Sequence, residues 1–384
     1  MRHPILFSLA LALVIFGCGG GGGGGGGGSS TPAPPTPPTP PTQSTAANQL
    51  QITVGRPNLP FVSVEVCVPG TSTCKTIDRV IVDTGSSGLR LVSSSDLTSL
   101  SLPPVSSLAE CVTFVSGYTW GAIRSADVKL AGQTKNMAIH VIDDTTTVGS
   151  APDSCTGAPV NLSGINGILG VGVFVRDGGF YYACSGSCTR TYSVPDEQQV
   201  RNPVALLDDH NNGVVIDLRA VSDSGAAGPF TGTLYLGIGT HDNNSLGSAT
   251  VISVDAKGEF STSFKGTSLS GYIDSGSNGL FFPDSTIPEC GVGSRGKGFY
   301  CPTSTLYLTA TNAGTNVVNF QVANAATLCD AASNVAFNNL AAPADGYFNW
   351  GLPFFFGRKV FTAIEDRNTT GTGNPGPYVA YIAL

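Results

Sequence analysis

The chain has 384 residues, with 19 Lys and Arg against 26 Asp and Glu, a net charge of −7 and charged side chains at only 12% of positions. No basic cluster is present that could neutralise a run of phosphates, so nucleic acid is excluded as a partner. Sparse charge with abundant Thr, Ser, Gly and Val suits an exported β protein, and the length beyond residue 48 fits two domains of average size or one large one.

In chain order, residues 1–17 read as a signal peptide. Arg2 and His3 precede an apolar run from Ile5 to Phe16 that is too short to span a bilayer. The run ends in "IFGC", which is similar to a bacterial lipobox and predicts cleavage before Cys18 and lipidation of its thiol; the other reading is a secreted protein cut slightly further on. Residues 18–47 form a Gly- and Pro-rich tether without apolar periodicity. Its glycine coil would span about 18 Å and its polyproline part about 35 to 40 Å.

From Asn48 onward short β-branched segments bounded by turn residues dominate: "FVSVEVCV", "KTIDRVIV", "ADVKLAG", "MAIHVID", "GVVIDL", "GTLYLGIG", "TLYLTAT" and "NVVNFQV". Helix is expected only around "SSSDLTSL" and "DEQQVRNPVALLDD", the second interrupted by Pro203. The pattern predicts an all-β architecture of barrels or sandwiches rather than alternating βαβ units.

Ten cysteines in an exported chain predict disulfides. Cys67 and Cys74 flank a turn, Cys184 and Cys188 could close a small loop, and Cys111 could meet Cys155. With lipid on Cys18, one of Cys290, Cys301 and Cys329 is left over. No zinc-like spacing occurs and no histidine lies near the cysteines, so no metal is expected.

The most informative feature is a repetition. "VIVDTGSSGLR" at residues 80–90 returns as "YIDSGSNGLFF" at 272–282, the two aspartates 191 residues apart (274 − 83). Each motif is followed by two apolar or aromatic residues and a glycine, in "GINGILGVGVF" (Gly164 to Phe174) and "FNWGLPFFFGRKVFTAIED" (Phe348 to Asp366), the order expected of a duplicated β domain. In each turn the glycine, Gly85 or Gly276, allows the chain to double back sharply and leave Asp83 or Asp274 at a rigid tip. Two such turns meeting about a pseudo-twofold axis would bring the carboxylates so close that they share one proton. One would then act as base and the other as acid on a water attacking a peptide carbonyl. Ser86 and Ser277 could donate to the outer carboxylate oxygens.

At these residues the chain resembles the pepsin-like aspartic proteases, from about Phe61 to the C-terminus. "FVSVEVCVPGTSTCKTIDRVIVDTGSSGLRL" is similar to that family's opening hairpin and first catalytic turn, "GYIDSGSNGLFF" to its second, and "FFFGRKVFTAIED" to its final strand pair. More narrowly, the chain resembles bacterial lipoproteins of unknown function that share the pepsin-like core. The resemblance implies a bilobal all-β fold, with a lobe at 48–225 and another at 226–384 and a cleft between them. It implies a catalytic pair of Asp83 and Asp274, with Thr84 and Ser275 binding across the lobes. Where the family has Trp seven residues after the first aspartate this chain has Arg90, and where its flap has Tyr-Gly this chain has Phe114 and Val115, leaving Tyr118 and Trp120 as further flap candidates.

Other motifs carry little. "GTGNPG" at 371–376 fits a dinucleotide pattern only formally, because Pro375 lies inside it and no helix follows. His3, His140, His210 and His241 lie in no serine-hydrolase or zinc-peptidase context. The expectation is an exported, lipid-anchored, monomeric aspartic endopeptidase of the cell envelope that acts on polypeptide without cofactor. The other expectation is an inactive lipoprotein of the same fold that binds peptides.

Overall fold

A computed structural model describes residue 18 and residues 48–144, 148–369 and 375–384. The residues read as signal peptide and, apart from Cys18, as tether lie outside the described residues, as does most of "GTGNPG". All eight segments read as strands lie in strands; some are buried on both faces, as residues 137–142 are, and others alternate. In Gln49–Gly55, for example, Leu50, Ile52 and Val54 are buried between more exposed neighbours. "SSSDLTSL" contains the short helix Ser95–Ser99, capped by the Ser94 hydroxyl, which accepts from the Leu97 amide. The helix expected over "DEQQVRNPVALLDD" is not formed. Only single 3-10 turns at Asp196–Gln198 and Val204–Leu206 appear; the chain is extended at Gln199 between them, and Pro203, which opens the second turn, has no amide to donate. A helix at Ala325–Asp330 was not expected from the sequence.

Among the described residues the strands form a 15-stranded sheet, a 7-stranded sheet and a small 2-stranded one. The large sheet is continuous through both halves of the chain. Gln49–Gly55 pairs antiparallel with Phe230–Leu236, and Gly213–Leu218 pairs with both Phe230–Leu236 and Arg358–Ala363. The 7-stranded sheet is built wholly from later residues and carries the second aspartate turn. Behind that turn stands an aromatic stack in which Phe348 lies 4.3 Å from Trp350 and 5.0 Å from Phe282, ring centroid to ring centroid.

The expected cysteine pairs Cys67–Cys74, Cys111–Cys155 and Cys184–Cys188 are all bonded, and Cys290 pairs with Cys301. The remaining pair corrects two expectations. Cys18 is bonded to Cys329, so no cysteine is left over, and a sulfur held in a disulfide cannot also form the thioether of a lipid anchor. Five disulfides fit an exported chain folded in an oxidising compartment. Among the described residues no helix is long and apolar enough to cross a membrane.

Candidate active site

Asp83 ends, and Asp274 directly follows, a strand whose neighbour is one of the apolar-apolar-Gly segments, running parallel. Asp83, at the end of Cys74–Asp83, stands in register with Gly170, and Ile81 with Ile168. In the second half Ile273 stands in register with Trp350, and Tyr272 with Asn349. The glycines of these segments are required by contact. A Cβ on Gly170 would come 2.9 Å from the Gly88 carbonyl oxygen, and one on Gly351 would come 2.0 Å from that of Gly279, the equivalent position in the second turn. The duplication read from sequence is therefore a duplication of packing.

Four hydrogen bonds tie the turns together. The Thr84 amide donates to Ser275 Oγ (3.1 Å) and the Ser275 amide to Thr84 Oγ1 (2.9 Å), while Thr84 Oγ1 donates to the Ile273 carbonyl (3.3 Å) and Ser275 Oγ to that of Val82 (2.7 Å). All four are buried, where such bonds are best shielded from water.

Within each turn the donors are arranged alike. The amides of Gly85 and Gly276 each donate to the inner oxygen Oδ1 of their aspartate at 2.8 Å. Ser86 and Ser277 donate to the outer oxygens Oδ2. Both aspartates are fully buried and share a hydrogen bond. Burial pushes the Asp83 carboxyl above the usual carboxylate range against the pull of its donors and of Arg90. Burial, followed by the charge of Asp83, pushes Asp274 well above it. The pair therefore holds a proton between the two groups at pH values where isolated aspartates are ionised.

The symmetry is not complete. Where the first half places Ile81 beside Ile168, the second places Tyr272 beside Asn349. Asn349 Nδ2 donates to Asp274 Oδ2 (3.2 Å) and Ser277 Oγ (2.7 Å), so only the second aspartate has a side-chain amide on it. Burial raises the Tyr272 phenol far above its ordinary value, and its ring lies 5.7 Å from that of Tyr347. Sequence reasoning missed both residues. Aligning the halves position by position, "VIVDTG" on "GYIDSG" and "GILG" on "FNWG", exposes them as polar replacements of isoleucine.

A cavity of about 210 Å³ opens beside the turns. Its walls include Thr84, Ser86 and Phe174 from the first half and Lys257, Glu259 and Tyr272 from the second.

The hairpin carrying the flap candidates joins Pro104–Phe114 to Gly117–Leu130. Phe114 is buried, with the Arg90 guanidinium carbon 5.9 Å from its ring centroid. Tyr118 is held by its backbone, its amide donating to the Ala158 carbonyl (2.9 Å) and its carbonyl accepting from the Val160 amide (2.8 Å). Trp120 is buried against Tyr182, and its indole nitrogen donates to the Gly149 carbonyl (2.8 Å). None of the three lines the cavity beside the turns. The potential metal-ligand cluster found among the described residues, Glu65, Cys67 and Cys74, has both thiols locked in a disulfide.

A bilobal all-β fold with two bonded Asp-(Thr/Ser)-Gly turns defines the pepsin-like aspartic protease class of structure. Among solved structures the chain is similar to the crystal structure of aspartic proteinase from Irpex lacteus, at 16% identity and a TM-score of 0.53, covering 88% of this chain and 98% of that one. The protein belongs to the DUF3443 family, a protein family of unknown function whose model matches residues 44–381. No curated protein matches it.

Proposed function

We propose that the protein is an exported aspartic endopeptidase that hydrolyses extended polypeptide with a water activated by Asp83 and Asp274. The observation that carries this reading is the double exchange of hydrogen bonds between Thr84 and Ser275, which fixes two buried carboxyl groups against each other with a donor on each oxygen of both. The ionised carboxylate takes a proton from water as its oxygen attacks the peptide carbonyl carbon. The protonated partner donates to the carbonyl oxygen, giving a tetrahedral intermediate without a covalent enzyme bond. Collapse returns a proton to the leaving nitrogen. Two carboxyl groups and a water suffice for this chemistry, so the reading calls on neither metal nor cofactor.

Export to the cell envelope or beyond is supported by the apolar run at residues 5–16 and by the five disulfides. A lipid anchor on Cys18 is left out, because that sulfur is bonded to Cys329.

A second reading, a binding protein without turnover, is favoured by a different observation. The flap hairpin is tied to the neighbouring loop by Cys111–Cys155 and by the bonds of Tyr118, while both aspartates are 0% exposed. Substrate reaches the aspartates only if the site opens, and the disulfide limits how far the hairpin can move. Digestion of denatured casein by the purified protein from pH 3 to 7, beside Asp83→Asn, decides between the readings. Cleavage by the wild type alone is the expected result. Peptide binding that survives the substitution, with no cleavage at any pH, establishes the second reading.

A further inference from the structure

Behind the first turn lies a cluster of ionisable side chains that the chemistry above does not use. Arg90, Glu110 and His140 are each 0% exposed, Asp177 is buried, and Tyr181 packs among them. They come from four separate stretches of chain. Arg90 lies on Ser87–Val92, in parallel register with His140 of Gln133–Ile142. Glu110 lies on Pro104–Phe114, and Asp177 and Tyr181 on the segment that follows the first Gly-rich strand.

Arg90 is the hub. One guanidinium nitrogen donates to the carbonyls of Ser87 (2.6 Å) and Gly88 (3.3 Å), in the turn that carries Asp83. The other is ion-paired with Asp177 Oδ2 at 2.9 Å. Asp177 Oδ1 in turn accepts from the Tyr181 hydroxyl (3.3 Å) and the Gly179 amide (3.1 Å), and the Tyr181 oxygen accepts from the Val200 amide (2.8 Å). Phe114 closes the remaining side of the guanidinium. A buried arginine held by an ion pair and two backbone carbonyls cannot swing away, so its charge has a fixed direction and distance.

The other titratable groups facing it do not cancel that charge. Burial, then the charge of Asp177, pushes the Glu110 carboxyl well above the usual carboxylate range, which favours its neutral form, and His140 Nδ1 lies 3.3 Å from its Oε2. Burial, then Arg90, holds His140 well below the ordinary imidazole value. Burial, then Asp177, raises the Tyr181 phenol. The charged partners that remain are Arg90, which faces the turn, and Asp177 on its far nitrogen. On the second aspartate the corresponding influence is a neutral amide, that of Asn349.

We propose that Arg90 is a positioning residue of the first turn, clamping the carbonyls of Ser87 and Gly88 and presenting a fixed positive charge behind Asp83, so that Asp83 is the carboxylate base and Asp274 the acid. This rests on the peptidase reading for its catalytic consequence, although the placement of charge stands apart from turnover. Water is then deprotonated at Asp83, and the carbonyl oxygen receives the proton of Asp274.

The test uses Arg90→Met, Asp177→Asn and the double variant of the full chain, with two readouts. The first is the pH profile of kcat/KM on casein peptides. The second is a carboxyl 13C NMR titration of Asp83, assigned by comparison with Asp83→Asn and independent of turnover. Removing a nearby positive charge raises the pKa of a carboxylate. The acid limb of the profile and the Asp83 titration should therefore move up by about one pH unit in Arg90→Met. Removing the counter-charge should move both down in Asp177→Asn, and the double variant should return toward the wild type. Opposite displacements are something a loss of packing cannot produce. Folded variants whose Asp83 titration and acid limb stay at the wild-type position overturn the proposal. If Arg90→Met does not fold, an unmoved titration in Asp177→Asn does so alone. Displaced titrations in a protein that cleaves nothing would sink the peptidase reading and leave this charge placement standing, whereas cleavage with unmoved titrations would do the reverse.

Discussion

Thr84 and Ser275 are 191 positions apart and each hydroxyl accepts the other's backbone amide, at 2.9 and 3.1 Å. The exchange is reciprocal, so neither half of the site can take its geometry without the other. Replacing either hydroxyl residue by alanine leaves a buried amide unpaired, which costs about 1 to 3 kcal/mol. Thr84→Ala and Ser275→Ala should each lower stability in urea by that amount. The double variant should lose less than their sum, because the four bonds belong to one network joining the same two turns. Strict additivity would show that the hydroxyls act independently.

Asn349 should matter for turnover more than for binding. Asn349→Leu removes the donor to Asp274 Oδ2 and Ser277 Oγ while keeping much of the volume. The expected result is a fall in kcat of about tenfold with KM changed less than about twofold, the pattern of an interaction that orients the reacting group. A loss carried entirely by KM would assign Asn349 to substrate contact instead.

The sign of a pH effect on stability follows from Glu110. Its carboxyl is raised in the folded protein relative to the unfolded chain, first by burial and then by Asp177. Its contribution is fully present below the unfolded value of about 4.3 and is lost as pH rises through the folded value. Glu110→Gln cannot ionise, so the variant should gain on the wild type progressively as pH climbs above about 4.3. His140, held low by burial and Arg90, acts the other way, its contribution being lost as pH falls below about 6.5. His140 Nδ1 lies 3.3 Å from Glu110 Oε2, so the substitution also touches that term, and the difference between the chains reads the pair, with Glu110 setting its rise above about 4.3. Urea midpoints from pH 4 to 8 measure it, and a gap that stays constant with pH would refute the assignment.

The fate of Cys18 is a matter of counting. With Cys18 bonded to Cys329 the unfolded, unreduced mature chain should show no reactive thiol. One thiol, mapped to Cys329 and accompanied by a lipid mass on Cys18, would instead restore the anchor expected from the lipobox.

What could be read from the sequence was what repeats. The two aspartate turns, the glycine segments packed against them, and the Cys67–Cys74 and Cys184–Cys188 loops are local patterns with short-range causes, and the structure reproduces them; Cys111–Cys155, also expected, spans 44 residues. The Cys18–Cys329 bond, with a separation of 311 residues, has no local signature. The helix at Ala325–Asp330 is only six residues long, too short for a periodic signal, and rests on the Asn324 side chain accepting from the Thr327 amide. His140 reads as an ordinary strand residue and is one, but its place opposite Arg90 depends on a parallel register set by the whole sheet. The polar pair Tyr272 and Asn349 was hidden for a different reason. Each is unremarkable in its own strand, and they become informative only when the halves are superposed.

The large sheet also decides how the molecule can be divided. Gln49–Gly55 completes its pairing on Phe230–Leu236, and Gly213–Leu218 lies between Phe230–Leu236 and Arg358–Ala363. A cut near residue 225 would therefore strip partners from strands on both fragments, leaving open edges of the kind that recruit other chains. Despite its internal repetition, the chain is a poor candidate for separation into autonomous halves, and fragments expressed together are more apt to tangle than to reassemble.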